Sequence, residues 1–319
     1  MTSDSACAGD RGASNRIEWL DLAKVFSSPP PVLDFVWPGF LSGTAGVLAA
    51  PGSSGKSWWA LEALCAVAGG RGADLLGVQP GAAGTVVYLC LEDLTPIVST
   101  RLCALRERFT EDVLDQLVER LRIAPLAGQR LNLLDRRQRD WLAHLTEDVR
   151  LCVIDTLSRS HAGDENSNAE MSQLLSNLEW VCARSGTSIL VSHHVRKGGV
   201  GDGPAQQAPR GASSLVDNAR WAGGLCGMSE SEAELMSDPH CSPDPLRPAP
   251  VADRRGWYVK FQTTKPNYGP PRADVWYRRE DGGVLVQARL EHLPAGAKSS
   301  SGPPAAARAA DAWRGRPGK

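Results

Sequence analysis

A chain of 319 residues with 42% hydrophobic and 22% charged side chains can bury a sizeable core, and this composition excludes a fibrous or wholly disordered protein. The formal net charge of −1 excludes a broadly basic polyanion binder, so any nucleic-acid partner must meet a local basic patch. No apolar run approaches the roughly 18 residues a membrane-spanning helix needs, and residues 1–16 lack the apolar region of a secretory signal, so a cytoplasmic location is expected.

From the amino terminus, residues 1–30 read as a flexible arm with a short helix over 17–26, punctuated by Pro29-Pro30-Pro31. An extended stretch over 32–41 leads into a main domain spanning 31–294. Short apolar runs at 46–49, 85–91, 151–154 and 188–192 predict strands, and longer amphipathic runs at 57–68, 96–108, 138–146 and 169–185 predict helices. Their alternation predicts an α/β fold with a mainly parallel central sheet flanked by helices. Residues 197–212, rich in Gly, Pro, Gln and Ala, break this rhythm and read as a functional or disordered loop. A Pro-rich connection follows at 237–250. Beyond it, 256–264 and 274–279 predict strands, and Asp281-Gly282-Gly283 predicts a hairpin turn into a last strand at 284–288, so the carboxy-terminal strands are antiparallel. Residues 295–319 are Ala, Gly, Pro, Ser and Arg and are expected to form a disordered tail. The eight cysteines include no C-x-x-C pair, and Cys90 and Cys152 lie inside apolar runs, which points to reduced thiols acting as small buried hydrophobes.

The segment Ala50-Pro51-Gly52-Ser53-Ser54-Gly55-Lys56-Ser57 follows an apolar strand and precedes a helical pattern. A phosphate-binding loop needs that setting, because backbone N–H groups and a helix N-terminus must converge on the phosphates. Gly52 and Gly55 permit the tight path, Lys56 is placed to reach the β- and γ-phosphates, and the Ser57 hydroxyl to ligate Mg²⁺. Ala50 stands where the strict pattern has Gly. By itself the loop supports binding of ATP or GTP with Mg²⁺.

Three further strand ends narrow the class. Val153-Ile154-Asp155-Thr156 ends an apolar run in a carboxylate suited to the Mg²⁺ shell. Thr156 stands where many ATPases carry a catalytic Glu, so the water-activating carboxylate must come from elsewhere. Glu92, in the run Val87-Tyr88-Leu89-Cys90-Leu91-Glu92-Asp93, supplies it, since ligands of open α/β sheets gather at the carboxyl ends of strands; a solvated Glu-Asp turn is the plainer alternative. The third run ends in Ser192-His193-His194. It is open to three readings: a neutral His contacting the γ-phosphate, a structural His, or half of a metal site.

With these residues assembled, the chain resembles the RepA-type hexameric replicative helicases of broad-host-range plasmids, a branch of the RecA-like P-loop ATPases. The likeness runs from about Pro30 to about Glu291. Besides the runs already quoted it is carried by P-P-P-V-L-D-F-V, A-L-E-A, V-I-D-T-L-S-R, S-H-H-V-R-K-G, R-G-A-S-S-L-V-D-N-A-R-W, K-P-N-Y-G and W-Y-R-R-E-D-G-G-V-L. The resemblance implies a RecA-like core, a six-subunit ring, and ATP-driven translocation on single-stranded DNA, with primase and initiator proteins as further partners. It implies Glu92 as general base, Asp155 as the metal-shell carboxylate, His194 as γ-phosphate sensor, and Arg220 as an arginine finger reaching the ATP of a neighbouring subunit; a surface salt bridge is the alternative for Arg220. Channel loops must present cations to the DNA backbone, and six copies multiply a modest charge per loop. Arg196, Lys197 and Arg210, flanking the Gly-rich loop, are the candidate DNA contacts, with an ordinary solvated basic loop left open. The loop itself, Gly198-Gly199-Val200-Gly201-Asp202-Gly203, departs from the family's. A DNA-binding ATPase that does not unwind, such as a recombination mediator or mobile-element regulator, and a signalling ATPase acting on proteins are the competing readings.

Overall fold

The computed structural model describes residues 19–164, 167–195, 215–242 and 249–293. The candidate DNA contacts Arg196, Lys197 and Arg210, the loop 197–212 and the tail 295–319 lie outside the described residues. The chain divides into two units, Met1–Leu33 and Asp34–Lys319. In the first, the helix expected over 17–26 is Leu22–Ser27 (α1), begun by the side chain of Asp21 accepting from the backbone N–H of Lys24; none of its residues is buried.

The second unit opens with a hairpin, Phe35–Trp37 (β1) against Phe40–Leu41 (β2), where one extended stretch was expected. Pro38 removes a donor and Gly39 takes φ 89°, so the chain turns there. The strands of the α/β core follow as Ala45–Ala50 (β3), Val86–Cys90 (β4), Leu121–Pro125 (β5), Leu151–Asp155 (β6), Ser188–His194 (β7) and Trp221–Gly227 (β8). Between them run the helices Lys56–Gly69 (α2), Thr95–Arg106 (α3), Glu111–Arg120 (α4), Arg136–Leu145 (α5) and Asn168–Ser185 (α6). After Met236–Ser237 (β9) come the strands Tyr258–Pro266 (β10), Val275–Arg279 (β11), Leu285–Ala288 (β12) and Glu291–His292 (β13).

Nine strands form one sheet in the order β12-β11-β10-β8-β3-β7-β6-β4-β5. From β8 to β5 every pairing is parallel, and β8–β10, β10–β11 and β11–β12 are antiparallel. The expected parallel core with carboxy-terminal antiparallel strands is what forms. One strand, β7, separates the strand of the phosphate loop from β6, which ends in Asp155.

Side chains alternate across the sheet with period two. Leu48, Tyr88 and Val153 face one layer with α2 and α4, while Val47, Leu89 and Ile154 face the other with α5 and α6. The helix α2 is apolar almost all round, and twelve of its fourteen residues are buried, as befits a helix enclosed between sheet and other helices. The helices α4 and α5 show the opposite pattern, presenting Val113 with Leu117 and Leu142 with Ala143 inward and charge outward.

Further elements differ from the sequence expectation. The pair α4 and β5 was not anticipated, although Val113, Leu114, Leu117, Val118 and Leu121 recur at helical spacing among the charged residues of 111–121. The glycine-rich β8 was also missed. At Gly223 the small residue is explained by packing, since a Cβ there would come within 2.8 Å of Phe261 and Trp221. There the rings of Trp59 and Phe261 stack at 4.8 Å and those of Phe40 and Trp221 at 5.2 Å, so strand β8 trades side-chain volume for aromatic neighbours. Finally, 252–257 form a 3₁₀ turn, so the strand expected from 256 starts at Tyr258. Of the cysteines, Cys65, Cys90, Cys152, Cys182 and Cys226 are buried, Cys241 is half-buried and Cys103 is exposed; these are free thiols.

Candidate nucleotide site

The loop 50–57 leaves the carboxyl end of β3 and closes on itself through the N–H of Ser54 donating to the carbonyl of Pro51 at 3.3 Å. Ser53 (φ 62°) and Gly55 (φ 96°) take left-handed conformations, which turn successive N–H groups into one concavity. Gly55 is also the N-cap of α2, so the positive end of a 14-residue helix faces the same space. Lys56 begins that helix and is 5% exposed.

The sheet order brings the other strand ends to this edge. Lys56 Nζ lies 3.5 Å from His194 Nε2 at the end of β7, and that ring nitrogen lies 3.6 Å from Oε2 of Glu92, just beyond β4. Lys56, His194 and Glu92 therefore form a contiguous row of cation, imidazole and carboxylate. Asp93, next in sequence, is turned away to an ion pair with Arg101 at 2.6 Å, and the Arg101 guanidinium stands 5.7 Å from the ring centroid of Trp58.

Asp155 is 1% exposed. Its Oδ2 accepts from the hydroxyl of Tyr88 at 2.7 Å, and its Oδ1 from the hydroxyl of Ser192. Burial and the carboxylate beside it push the Tyr88 hydroxyl well above its ordinary pKa, so it remains a donor and the carboxylate remains the acceptor. Neither Tyr88 nor Ser192 was singled out in the sequence, although each lies on a strand flanking β6. Oxygen donors such as the Ser57 hydroxyl and the Asp155 carboxylate suit a hard divalent cation like Mg²⁺, and no cluster of three or more His, Cys, Asp or Glu side chains among the described residues offers a competing metal site.

The two histidines differ sharply. His193 is 2% exposed, and neither ring nitrogen has a hydrogen-bond partner among the described residues. Burial, reinforced by nearby His194, His161 and Lys56, lowers its pKa to about 4, so it is neutral at physiological pH. His194 alone of the pair touches Lys56 and Glu92.

Arg220 immediately precedes β8. It is half-exposed, and its Nε lies 3.7 Å from Oε1 of Glu179 on α6. Trp221 pairs with Gly46, at the start of β3, so Arg220 stands at the amino-terminal edge of the sheet. The phosphate loop leaves the opposite edge, roughly five residues or about 16 Å away along the strands. Arg220 is thus not brought to the loop of its own chain.

A residue that sequence reasoning passed over stands instead against the loop. Arg279, at the end of β11, donates from Nη2 to the carbonyl of Ser53 at 3.2 Å. The only signal for it was its place in the W-Y-R-R run. Beyond Glu92, on the far side of the row, a polar cleft of about 590 Å³ is lined by Arg130, Asn132, Gln138, Arg159 and Glu92 itself.

Residues 13–200 match the family model described as the AAA domain. Among solved structures, the RadB recombinase aligns with 79% of this chain and 92% of its own at 14% identity and a TM-score of 0.48. A second solved structure, the ATPase domain of another protein, aligns with 77% of this chain and 86% of its own at 14% identity and a TM-score of 0.50. At 14% identity the second likeness is one of fold.

Proposed function

The chain belongs to the AAA domain family, and on that premise we propose that this P-loop ATPase of RecA-like fold is an ATP-dependent replicative DNA helicase, a six-membered ring that moves along single-stranded DNA. The observation that carries the reading is the separation of Arg220 from its own phosphate loop by the length of the sheet. A guanidinium in that position serves phosphoryl transfer only by meeting the nucleotide of another copy, which makes hydrolysis depend on assembly.

In this reading the backbone amides of 52–57 and the Lys56 ammonium hold the triphosphate, and Lys56 draws charge from the β- and γ-oxygens. The Ser57 hydroxyl and the Asp155 carboxylate would hold Mg²⁺, which when bound would neutralise phosphate charge. Tyr88 and Ser192, each donating to Asp155, keep that carboxylate aimed. Glu92 accepts the proton of the attacking water. His194, between Lys56 and Glu92, registers the γ-phosphate by exchanging these neighbours for a phosphate oxygen. Arg220 leaves Glu179 to stabilise the transferring group of the next subunit. Arg196, Lys197 and Arg210 contact the DNA backbone, and primase and initiator proteins supply the steps before unwinding.

The test is a forked-duplex unwinding assay on the wild-type chain, Lys56→Ala, Glu92→Gln and Arg220→Ala, run beside DNA-stimulated hydrolysis and a mass measurement with ATP and DNA present. The helicase reading expects a hexamer that displaces a strand, with all three variants inactive. Hydrolysis stimulated by DNA without displacement, or filaments in place of rings, would assign the chain to the non-unwinding DNA-dependent ATPases. Hydrolysis indifferent to DNA would overturn both.

A further inference from the structure

The guanidinium of Arg279 is half-buried and rests against the phosphate loop. Its Nη2 donates to the Ser53 carbonyl at 3.2 Å, and a Cβ built on Gly55 would come 3.0 Å from its Nη1. The cations near it are matched: Arg278 on β11 binds Asp238 at 2.8 Å and Glu280 at 2.7 Å, and Arg108, just after α3, binds Glu280 at 2.5 Å. Arg279 has no carboxylate partner among the described residues. Removal from water lowers its pKa, and a half-buried cation held at that cost calls for an anion.

The sheet order says which anion it meets. Glu92, His194 and Asp155 end β4, β7 and β6, all on one side of the loop strand β3, and β8, β10 and β11 lie on the other. The γ-phosphate end of a bound nucleotide is the end that must face Glu92 and His194. The α-phosphate and nucleoside then point toward β8, β10 and β11, where a cavity of about 600 Å³ opens between Ser53, Ser54, Ser229, Lys260 and Arg279. Lys260 is already paired with Glu232 at 2.6 Å and Arg255 with Glu230 at 3.1 Å, which leaves Arg279 as the available cation there among the described residues. At the floor, Ser54 is 8% exposed and its hydroxyl has no hydrogen-bond partner among the described residues.

We propose that Arg279 is a nucleotide-positioning residue acting within its own chain, its guanidinium bridging the Ser53 carbonyl and the α-phosphate of the bound nucleotide. The bridge fixes the nucleoside end while Lys56, His194 and Glu92 act on the γ end, so Arg279 contributes equally to ATP and ADP binding and not to the chemical step. A planar fork with several donors can hold a carbonyl and a phosphate together. The inference rests on the ATP-site reading above.

The experiment titrates ADP and a non-hydrolysable ATP analogue with Mg²⁺ into the wild-type chain, Arg279→Ala and Arg279→Lys, and measures kcat and KM for each. The two diastereomers of ADP bearing sulfur on the α-phosphate serve as the position-specific probe. Arg279→Ala is expected to weaken both nucleotides by the same factor, about tenfold, to raise KM in step, and to leave kcat within about twofold of wild type. It should also abolish the wild-type preference between the two α-thio diastereomers, and Arg279→Lys should recover part of the affinity. Unchanged ADP affinity in Arg279→Ala overturns the proposal. So does a loss confined to the ATP analogue with a fall in kcat, or a diastereomer preference that survives the substitution. A wild-type chain that binds no nucleotide at all fails the ATP-site reading instead, so the two failures are told apart.

Discussion

The carboxylate of Glu92 meets the imidazole of His194, Oε2 to Nε2, at 3.6 Å, and the same ring nitrogen lies 3.5 Å from Lys56 Nζ. One ring thus stands between the cation proposed to grip the triphosphate and the carboxylate proposed to take the proton of water. Glu92→Gln keeps the shape of this row and removes the base. Hydrolysis in single turnover is expected to fall by ~10²–10⁴ with ATP affinity within a few-fold of wild type. A variant that still hydrolyses within about tenfold of wild type removes Glu92 from the role.

If Arg220 works in trans, defects on the two faces of a subunit must complement. Lys56→Ala and Arg220→Ala are each expected to lack DNA-stimulated hydrolysis. Mixing them creates interfaces that pair an intact loop with an intact Arg220, and part of the activity should return. Mixtures as inactive as the parents count against the assignment. Glu179→Ala tests the ion pair at 3.7 Å and should change stability by less than about 1 kcal/mol, because exposed pairs contribute little.

The neutral, buried His193 makes stability depend on acidity. Its folded pKa of about 4 lies below the ordinary value near 6.5, so between these limits the unfolded chain binds the extra proton. Stability is therefore complete above about pH 6.5 and is lost as pH falls toward 4, by roughly 3 kcal/mol in total. His193→Gln should flatten this part of the profile, read as urea midpoints between pH 4.5 and 7.5. An equally steep profile in the variant would show that other groups carry it.

Glu62, on α2 beneath the phosphate loop, is fully buried and accepts from the backbone N–H of Leu285 at 2.8 Å. Burial raises its carboxyl pKa well above the ordinary range, so the folded chain keeps a proton that the unfolded chain gives up. Stability should fall as pH rises from about 4.5 toward the raised value. Glu62→Gln retains the acceptor without that cost and is expected to be more stable than wild type at pH 8. The difference should shrink at pH 5. Thermal melting at the two pH values decides it.

Gly223→Ala introduces a Cβ 2.8 Å from Phe261 and from Trp221, in the middle of the ring stack joining β8, β10 and α2. Rigid aromatic neighbours cannot yield cheaply, and a loss of ~1–3 kcal/mol is expected. Chemical denaturation of the variant measures it, and a neutral substitution would mean that the rings repack.

The core of the α/β fold was legible because its periodicities are local. Continuous apolar runs marked β3, β4, β6 and β7, and the loop motif marked the start of α2, since strand, turn and helix start are neighbours in the chain. Asp155, Glu92 and His194 could be named for the same reason: each terminates an apolar run. The sequence by itself thus determined β3, β4, β6 and β7, the phosphate loop and which polar residues end those strands. Only the tertiary structure decided that His194 and not His193 faces Lys56, that Asp155 is held by Tyr88 and Ser192, and that Arg220 and the phosphate loop lie at opposite edges of the sheet while Arg279, 223 positions after Lys56, leans on that loop. Those facts depend on strand order and on which face each side chain takes. Strand order is set by non-local pairing and by packing such as the aromatic stack over Gly223, and such contacts leave little trace in the local pattern of a single chain.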